Sequence, residues 1–409
     1  MLYDYQKEVL EQSSTRNRVA YYYDMGLGKT FIGSHKAVSF ERPILLICQK
    51  SKIDDWEEHF KTTHPNYSVY NLRKKLDEFI NDTNPTRVGV INYESVWRRE
   101  GIKTLKGYTL MLDESSLIQN DKSKQSKFIT KLKADNVVLL SGTPCSGRYD
   151  KLYSQLKLLG LTMKKQEYLS RFCNFTDLWL GFRSVKVLDK KRPYKNVDQL
   201  KSLMRELGCY FKKTEEVIEL PSQRFITINI KPHKAYNTFK KDSYVEYDGV
   251  EYIGNTSLTQ LLYLRQLADI NKGDKVKELI ESTEDRLLIF YNFDSELSTL
   301  KELCKGRPLS VVNGHTKDLT AYNNDSDSIT LIQYQSGSMG LNLQKANKII
   351  YYSPPTRSDL YEQSKKRTHR VGQEQPCIYY NLMCGIDTNI YRALNNKRDY
   401  TDELFLLEM

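Results

Sequence analysis

The sequence predicts an α/β protein built from two lobes, each a parallel sheet flanked by helices, with a helical insertion between them. Three observations carry this expectation. Short apolar runs recur in two separate series, each run followed by turn residues and then a helical pattern. Several runs are apolar at every position and rich in β-branched residues, as strands covered on both faces require. A chain of 409 residues is also too long for one core.

In the first half the runs are RVAYYY (18–23), ILLIC (44–48), RVGVI (87–91), TLMLD (109–113) and VVLLS (137–141). In the second they are RLLIF (286–290), LSVV (309–312), ITLIQY (329–334), KIIYY (348–352) and CIYYNL (377–382). Helical patterns such as SKIDDWEEHF and ELSTLKELC lie between them, which makes two successive α/β sheets. The stretch from about 145 to 270 reads differently: RYDKLYSQLKLLG, VDQLKSLMRELG and SLTQLLYLRQLADI have helical periodicity. LPSQRFITINI reads as a connector leading into a short strand, so the lobe boundary is expected near 215–235. The resulting division is 1–150 for the first lobe, 151–225 for the helical insertion and connector, and 226–409 for the second lobe.

Composition narrows the function classes. Lys+Arg number 62 and Asp+Glu 51, a formal charge of +11, which suits a polyanionic partner without demanding one. The seven cysteines, at 48, 145, 173, 209, 304, 377 and 384, form no close pair, so a disulfide framework or zinc knuckle is not expected and a reducing cytoplasm is. No apolar h-region opens the sequence and no stretch approaches a membrane span. Abundant lysine and tyrosine hint at an AT-rich genome, bacterial or phage.

Three strand-end motifs carry chemistry. In DMGLGKT (24–30) the residues Met25, Gly26, Leu27 and Gly28 form a turn that opens a helix. Its glycines let backbone N–H groups face a phosphate, Lys29 reaches terminal phosphates, and the Thr30 hydroxyl can hold Mg²⁺. The strict GxxxxGKT pattern fails, because Tyr23 stands where its first glycine would be. LMLDESS (110–116) ends a buried strand with two carboxylates. Asp113 can hold Mg²⁺ and Glu114 can orient and deprotonate an attacking water. Taken alone that pair also suits a helix N-cap; a phosphate loop upstream turns it toward catalysis. LLSGTP (139–144) adds the Ser141 and Thr143 hydroxyls.

With these motifs in view, the chain resembles a superfamily 2 helicase-type ATPase of the Swi/Snf family, most similar to its compact annealing-helicase-like or phage branch. YDYQKEVL resembles the Q motif, LLICQKSKIDDWEEHF motif Ia, INYESV motif Ib, and DESSLIQN the family's DESHxxKN with Ser116 for histidine. RFCNF and YFKKTEEVIELP resemble the helical insertion and its exit; LLIFYNF, SGSMGLNLQKA and QSKKRTHRVGQ resemble motifs IV, V and VI. The resemblance implies two RecA-like lobes with ATP in the cleft between them. It implies Gln6 as adenine reader, Gly340 and Gln363 facing the nucleotide, and Arg367 and Arg370 reaching across from the second lobe to the γ-phosphate. Positions on nucleic acid are implied for Lys50, Ser51, Tyr93, Asn292, and Asn313 through His315. Serine at 116 removes the imidazole that links the ATP site to motif III in relatives, and the family's tryptophan before motif VI is missing from SPPTRSDLYEQ.

The implied activity is a DNA-dependent ATPase using ATP and Mg²⁺. It would move along duplex or branched DNA as a monomer in a bacterial cytoplasm, or a host's if phage-encoded, in replication, recombination or fork remodelling. Two alternatives stand beside it: an RNA helicase of the same superfamily, and a non-catalytic DNA-binding scaffold.

Overall fold

The computed structural model describes every residue except 1, 146, 180–183, 190, 338–340 and 409, and leaves the side chains of 336, 337, 403 and 407 undescribed. The chain divides into two compact units, Met1–Val217 and Ile218–Met409.

The first unit holds a seven-stranded sheet. Its strands are β1 (Arg18–Tyr23), β2 (Ile44–Cys48), β3 (Ser68–Asn71), β4 (Arg87–Asn92), β5 (Thr109–Leu112), β6 (Asn136–Leu140) and, after a separate hairpin of β7 (Phe175–Trp179) and β8 (Ser184–Leu188), β9 (Cys209–Lys212). The order is β3-β4-β2-β5-β6-β1-β9, with every pairing parallel. Alternating side chains explain the continuous apolar runs. Ala20, Tyr22, Leu45, Ile47, Leu110 and Leu139 enter one core, while Val19, Tyr21, Leu46, Met111 and Val138 enter the core on the opposite face.

The second unit repeats the scheme with β10 (Gln223–Ile230), a small hairpin of β11 (Tyr244–Tyr247) and β12 (Val250–Ile253), then β13 (Leu287–Tyr291), β14 (Leu309–Val312), β15 (Lys317–Asp318), β16 (Ile329–Gln333), β17 (Lys348–Tyr351) and β18 (Cys377–Cys384). Its main sheet runs β10-β18-β17-β13-β16-β14-β15, parallel except for the short β14–β15 pair. Leu288, Phe290 and Tyr351 point into one core and Leu287, Ile289 and Ile350 into the other.

Two parallel α/β sheets bear out the expected fold class. All ten apolar runs form strands. The stretch 151–225 contains the helices Tyr153–Leu158, Lys165–Phe172 and Val197–Glu206, and also supplies β9 as an edge strand of the first sheet. The seven cysteines are buried and free. Among the described residues no helix is long and apolar enough to cross a membrane.

Candidate active site

In open parallel sheets the loops leaving the carboxyl ends of the strands gather the chemistry. In the first unit the three motifs leave β1, β6 and β5, which are neighbours in the sheet. The loop after β1 ends at Gly28, whose φ of 67° lies in the left-handed region and opens the helix Lys29–Val38. A Cβ at Gly28 would also stand 2.3 Å from Gln6 Nε2, so glycine is required there twice over. Leu27 is buried and Met25, Gly26 and Thr30 are half-buried. Lys29 Nζ lies inside the loop, donating to Tyr23 O at 2.9 Å and Asp24 O at 3.2 Å. A Cβ at Gly142, in the turn after β6, would meet that Nζ at 3.4 Å, so the second motif abuts the first.

Gln6 is buried, and its amide is committed to the chain. Oε1 accepts from Tyr3 N at 3.0 Å, and Nε2 donates to Leu27 O at 3.1 Å. The side chain expected to read adenine thus holds the loop as placed.

The carboxylate pair sits at the end of β5. Asp113 accepts a hydrogen bond from Trp56 Nε1 at 2.8 Å. Burial raises its pKa, against the opposing pull of the Trp56 N–H and the Lys29 and Lys52 charges. Glu114 takes φ 51° and ψ 56°, a left-handed conformation that costs a β-carbon residue energy and recurs where function fixes the backbone. The Ser141 hydroxyl is 3.5 Å from Glu114 Oε2. Thr143 N in turn donates to Ser141 Oγ at 3.2 Å.

Among the described residues no three His, Cys, Asp or Glu side chains form a metal-binding cluster. The hard oxygen donors of Asp113 and Thr30 nevertheless fit Mg²⁺, which commonly takes one carboxylate and fills its shell with water and substrate phosphate.

Tyr93 corrects an expectation. It is fully buried, and its hydroxyl donates to Asp113 O at 2.8 Å. It therefore presents no surface to a nucleic acid and instead braces the carboxylate turn from below. Lys50 is exposed and Ser51 half-buried in the turn after β2.

Gln155 and Trp56 escape sequence reasoning. Gln155 is fully buried. Its Oε1 accepts from Ser115 Oγ at 2.8 Å and from Tyr22 OH at 3.0 Å, while Nε2 donates to Pro144 O at 2.7 Å. One amide thereby ties β1, the carboxylate turn and the SGTP turn together. A polar residue on the apolar face of RYDKLYSQLKLLG was the available signal.

A histidine cluster forms where the helix after the phosphate loop, Lys29–Val38, meets the helix Ile53–Thr63. Ser34 Oγ lies 2.8 Å from His59 Nε2 and 3.1 Å from His64 Nε2, and the His35 and His64 rings are 4.9 Å apart. Burial, then neighbouring imidazoles, pull His59 and His64 down to about 4. The folded state therefore refuses protons that the unfolded chain accepts below about 6.5. Stability contributed by these groups is full above that pH and is lost as pH falls toward 4, by at most about 1.4 kcal/mol per pH unit for each histidine and less after solvent screening. Denaturant midpoints between pH 7 and 4.5 should fall less steeply for His59→Gln than for the unchanged protein; parallel curves would refute the assignment.

In the second unit motifs V and VI come together. Arg367, on the helix Ser358–Thr368, is 2% exposed, and its carbonyl accepts from Leu343 N at 3.1 Å. Arg370 follows the helix end and is half-buried. Its Nη1 donates to Asn342 Oδ1 at 2.5 Å, its Nε has no hydrogen-bond partner among the described residues, and burial lowers its pKa. Gln373 Nε2 donates to Gln344 O at 3.1 Å and Ala346 O at 3.0 Å, fixing the same pair of segments. Gln363 is half-buried on the motif VI helix, and Gly340 lies outside the described residues.

Asn292 Nδ2 donates to Ser353 Oγ at 2.8 Å and to the Ser353 and Pro354 carbonyls, each at 3.1 Å. That nitrogen is spent on its own unit. Asn313 Oδ1 accepts from His315 N at 2.9 Å and Thr316 N at 2.8 Å, shaping a turn that leaves His315 exposed.

Residues 10–283 match the SNF2-related domain family and residues 271–372 the helicase conserved C-terminal domain. YwqA of Bacillus subtilis, whose name describes a proposed ATP-dependent helicase/translocase, is 25% identical over 94% of this chain and 46% of its own length. The Caenorhabditis elegans homolog of SWI/SNF-related matrix-associated actin-dependent regulator of chromatin subfamily A-like protein 1 is 24% identical over 99% of the chain and 62% of its own. The human DNA annealing helicase and endonuclease ZRANB3 is 22% identical over 92% and 38%. The chain thus spans less than two thirds of each of these relatives. A Sulfolobus solfataricus SWI2/SNF2 ATPase core solved with dsDNA is 19% identical, with a TM-score of 0.46, over 99% of this chain and 92% of that one.

Proposed function

The chain belongs to the SNF2-related family, and from that premise we propose that it is an ATP-dependent motor coupling hydrolysis to movement along DNA. The observation that carries the reading is the convergence of the phosphate loop, the Asp113–Glu114 pair and the SGTP turn at the ends of three adjacent strands. A charge-binding loop separated by a single strand, β6, from a carboxylate poised as a base is the equipment of phosphoryl transfer. On the resemblance to compact annealing-helicase-like motors we further propose a role in replication, recombination or fork remodelling, and on the lysine- and tyrosine-rich composition a bacterial or phage source.

In this mechanism Lys29 neutralises the terminal phosphates, and Gly26 and Gly28 turn backbone N–H groups toward them. Asp113 and Thr30 would hold Mg²⁺, which supplies charge neutralisation on the phosphate oxygens. Glu114 orients the attacking water and takes its proton, with the Ser141 hydroxyl steadying the carboxylate. Arg370 is proposed to meet the negative charge that grows on the transferring phosphoryl group, whereas Arg367, expected in the same role, is 2% exposed and is not assigned it. Lys50, Ser51 and the Asn313–His315 turn are proposed to touch DNA phosphates without reading sequence.

Gln155 is proposed as the positioning residue that stands in for the link lost at Ser116. Gln155→Leu is expected to lower stability by about 1–3 kcal/mol, because it strands buried hydroxyls and a carbonyl. It should also reduce the ratio of DNA-stimulated to DNA-free ATP hydrolysis, and Gln155→His, which keeps a donor and an acceptor, should restore part of that ratio. A ratio unchanged in Gln155→Leu would leave the residue a purely structural role.

The experiment for the motor itself is displacement of a third strand from a DNA triplex. ATP-driven release, absent with a non-hydrolysable analogue, is the expected result. ATP hydrolysis stimulated by DNA without any release would contradict translocation.

A further inference from the structure

The hairpin of β7 and β8 has no role in the site described above. Its register pairs Phe175 with Leu188, Asp177 with Lys186 and Trp179 with Ser184. Side-chain alternation then sets Phe175, Asp177, Trp179, Ser184, Lys186 and Leu188 on one face. That face is open: Trp179 is 68% exposed and Phe175 41%. No other large hydrophobic side chain among the described residues is more exposed than Trp179. An aromatic held this far into water marks a contact surface more readily than a core.

The hairpin is nonetheless firmly rooted. A two-stranded hairpin alone is marginal in water, so its base must be held. Asn174 N donates to Pro193 O at 2.9 Å, Asp189 N to Asn174 O at 3.0 Å, and Lys195 N to Phe172 O at 3.0 Å. Tyr194 OH reaches Asp150 Oδ1 at 3.0 Å, tying the root to the segment after the SGTP turn. The partner's charge follows from composition: residues 173–196 contain six lysines and arginines against two aspartates. Lys186, Lys191 and Arg192 among them are exposed.

Exposed aromatics beside Lys186 on one face, with Lys191 and Arg192 exposed in the chain just after β8, form a stacking platform for unpaired bases. We propose that β7 and β8 are a second nucleic-acid contact, where unpaired bases stack on Trp179 and Phe175 while Lys186, Lys191 and Arg192 meet phosphates. The consequence is a preference for branched DNA with a single-stranded arm over continuous duplex. This inference rests on the reading of DNA as the partner.

The test uses the whole chain without nucleotide. Trp179 is one of three tryptophans; Trp56 is buried and Trp97 half-buried, so fluorescence quenching by oligo-dT reports on Trp179. Quenching is expected, and it should vanish in Trp179→Phe. The ratio of fork affinity to duplex affinity should fall about 5- to 150-fold in Trp179→Ala, the range one base–aromatic stack is worth. Lys186→Ala, a variant that leaves both aromatics in place, should flatten the salt dependence of oligo-dT binding by about 0.7 in log–log slope. Quenching that persists in Trp179→Phe, or an unchanged fork-to-duplex ratio, overturns the proposal. If ATP hydrolysis by the unchanged chain ignores all DNA, the motor reading fails on its own, separately from the hairpin.

Discussion

Glu114→Gln binds ATP with an affinity close to that of the unchanged protein and turns it over at least about 10²–10⁴-fold more slowly. That is the expected result if Glu114 is the base, because a positioned general base contributes on that scale and an amide of the same shape cannot accept the proton. The geometry supports a position held for this purpose. Glu114 keeps a left-handed backbone, and Ser141 stands 3.5 Å from its carboxylate. Lys29→Ala should fail differently, weakening nucleotide binding itself, since its charge acts on the phosphates before any bond breaks. Titration with a fluorescent ATP analogue beside steady-state hydrolysis separates the two outcomes. Near-normal hydrolysis by Glu114→Gln would contradict the assignment.

Arg370→Ala is the second large effect. A guanidinium that meets charge developing in the transition state contributes about 10³–10⁵-fold in related phosphoryl-transfer enzymes. Arg370 is held by Asn342 through one Nη, which fixes the fork's direction before any ligand arrives. Arg370→Lys should recover little, because an ammonium cannot reproduce a planar fork. Were Arg370 a DNA-phosphate contact instead, hydrolysis without DNA would be unchanged and the salt slope of DNA binding would shrink by about 0.9. The two patterns are mutually exclusive, so one variant measured both ways decides between them.

The parts of the fold that sequence makes legible are those buried on both faces. β2, β5 and β6 are apolar at nearly every position, and the pattern leaves them little else to be. β3, SVYN at a sheet edge, and β9, CYFK, are only partly buried and lack that signature. The hairpin β7–β8 is mostly exposed, so no core demanded its pattern. Motif residues at strand ends were legible because turn chemistry and spacing are local. What Gln155 and Trp56 do was not, because their partners lie 40 and 57 residues away in Ser115 and Asp113. Tyr93 was misread for a related reason. A tyrosine after a strand looks available, but the turn into its short helix aims it inward beneath Asp113. Arg367 and Arg370 look equivalent three residues apart in sequence. The helix stops at Thr368, so they share no helical face, and only the second reaches partial exposure.

The central claim is that this chain's ATP hydrolysis is coupled to DNA, and one measurement tests it most directly: steady-state ATP hydrolysis by the purified chain without nucleic acid, with duplex DNA, and with RNA of equal length. The account predicts a low rate alone, strong stimulation by DNA and little by RNA, with Glu114→Gln inert in all three. Hydrolysis indifferent to DNA, or stimulated by RNA in its place, would contradict it.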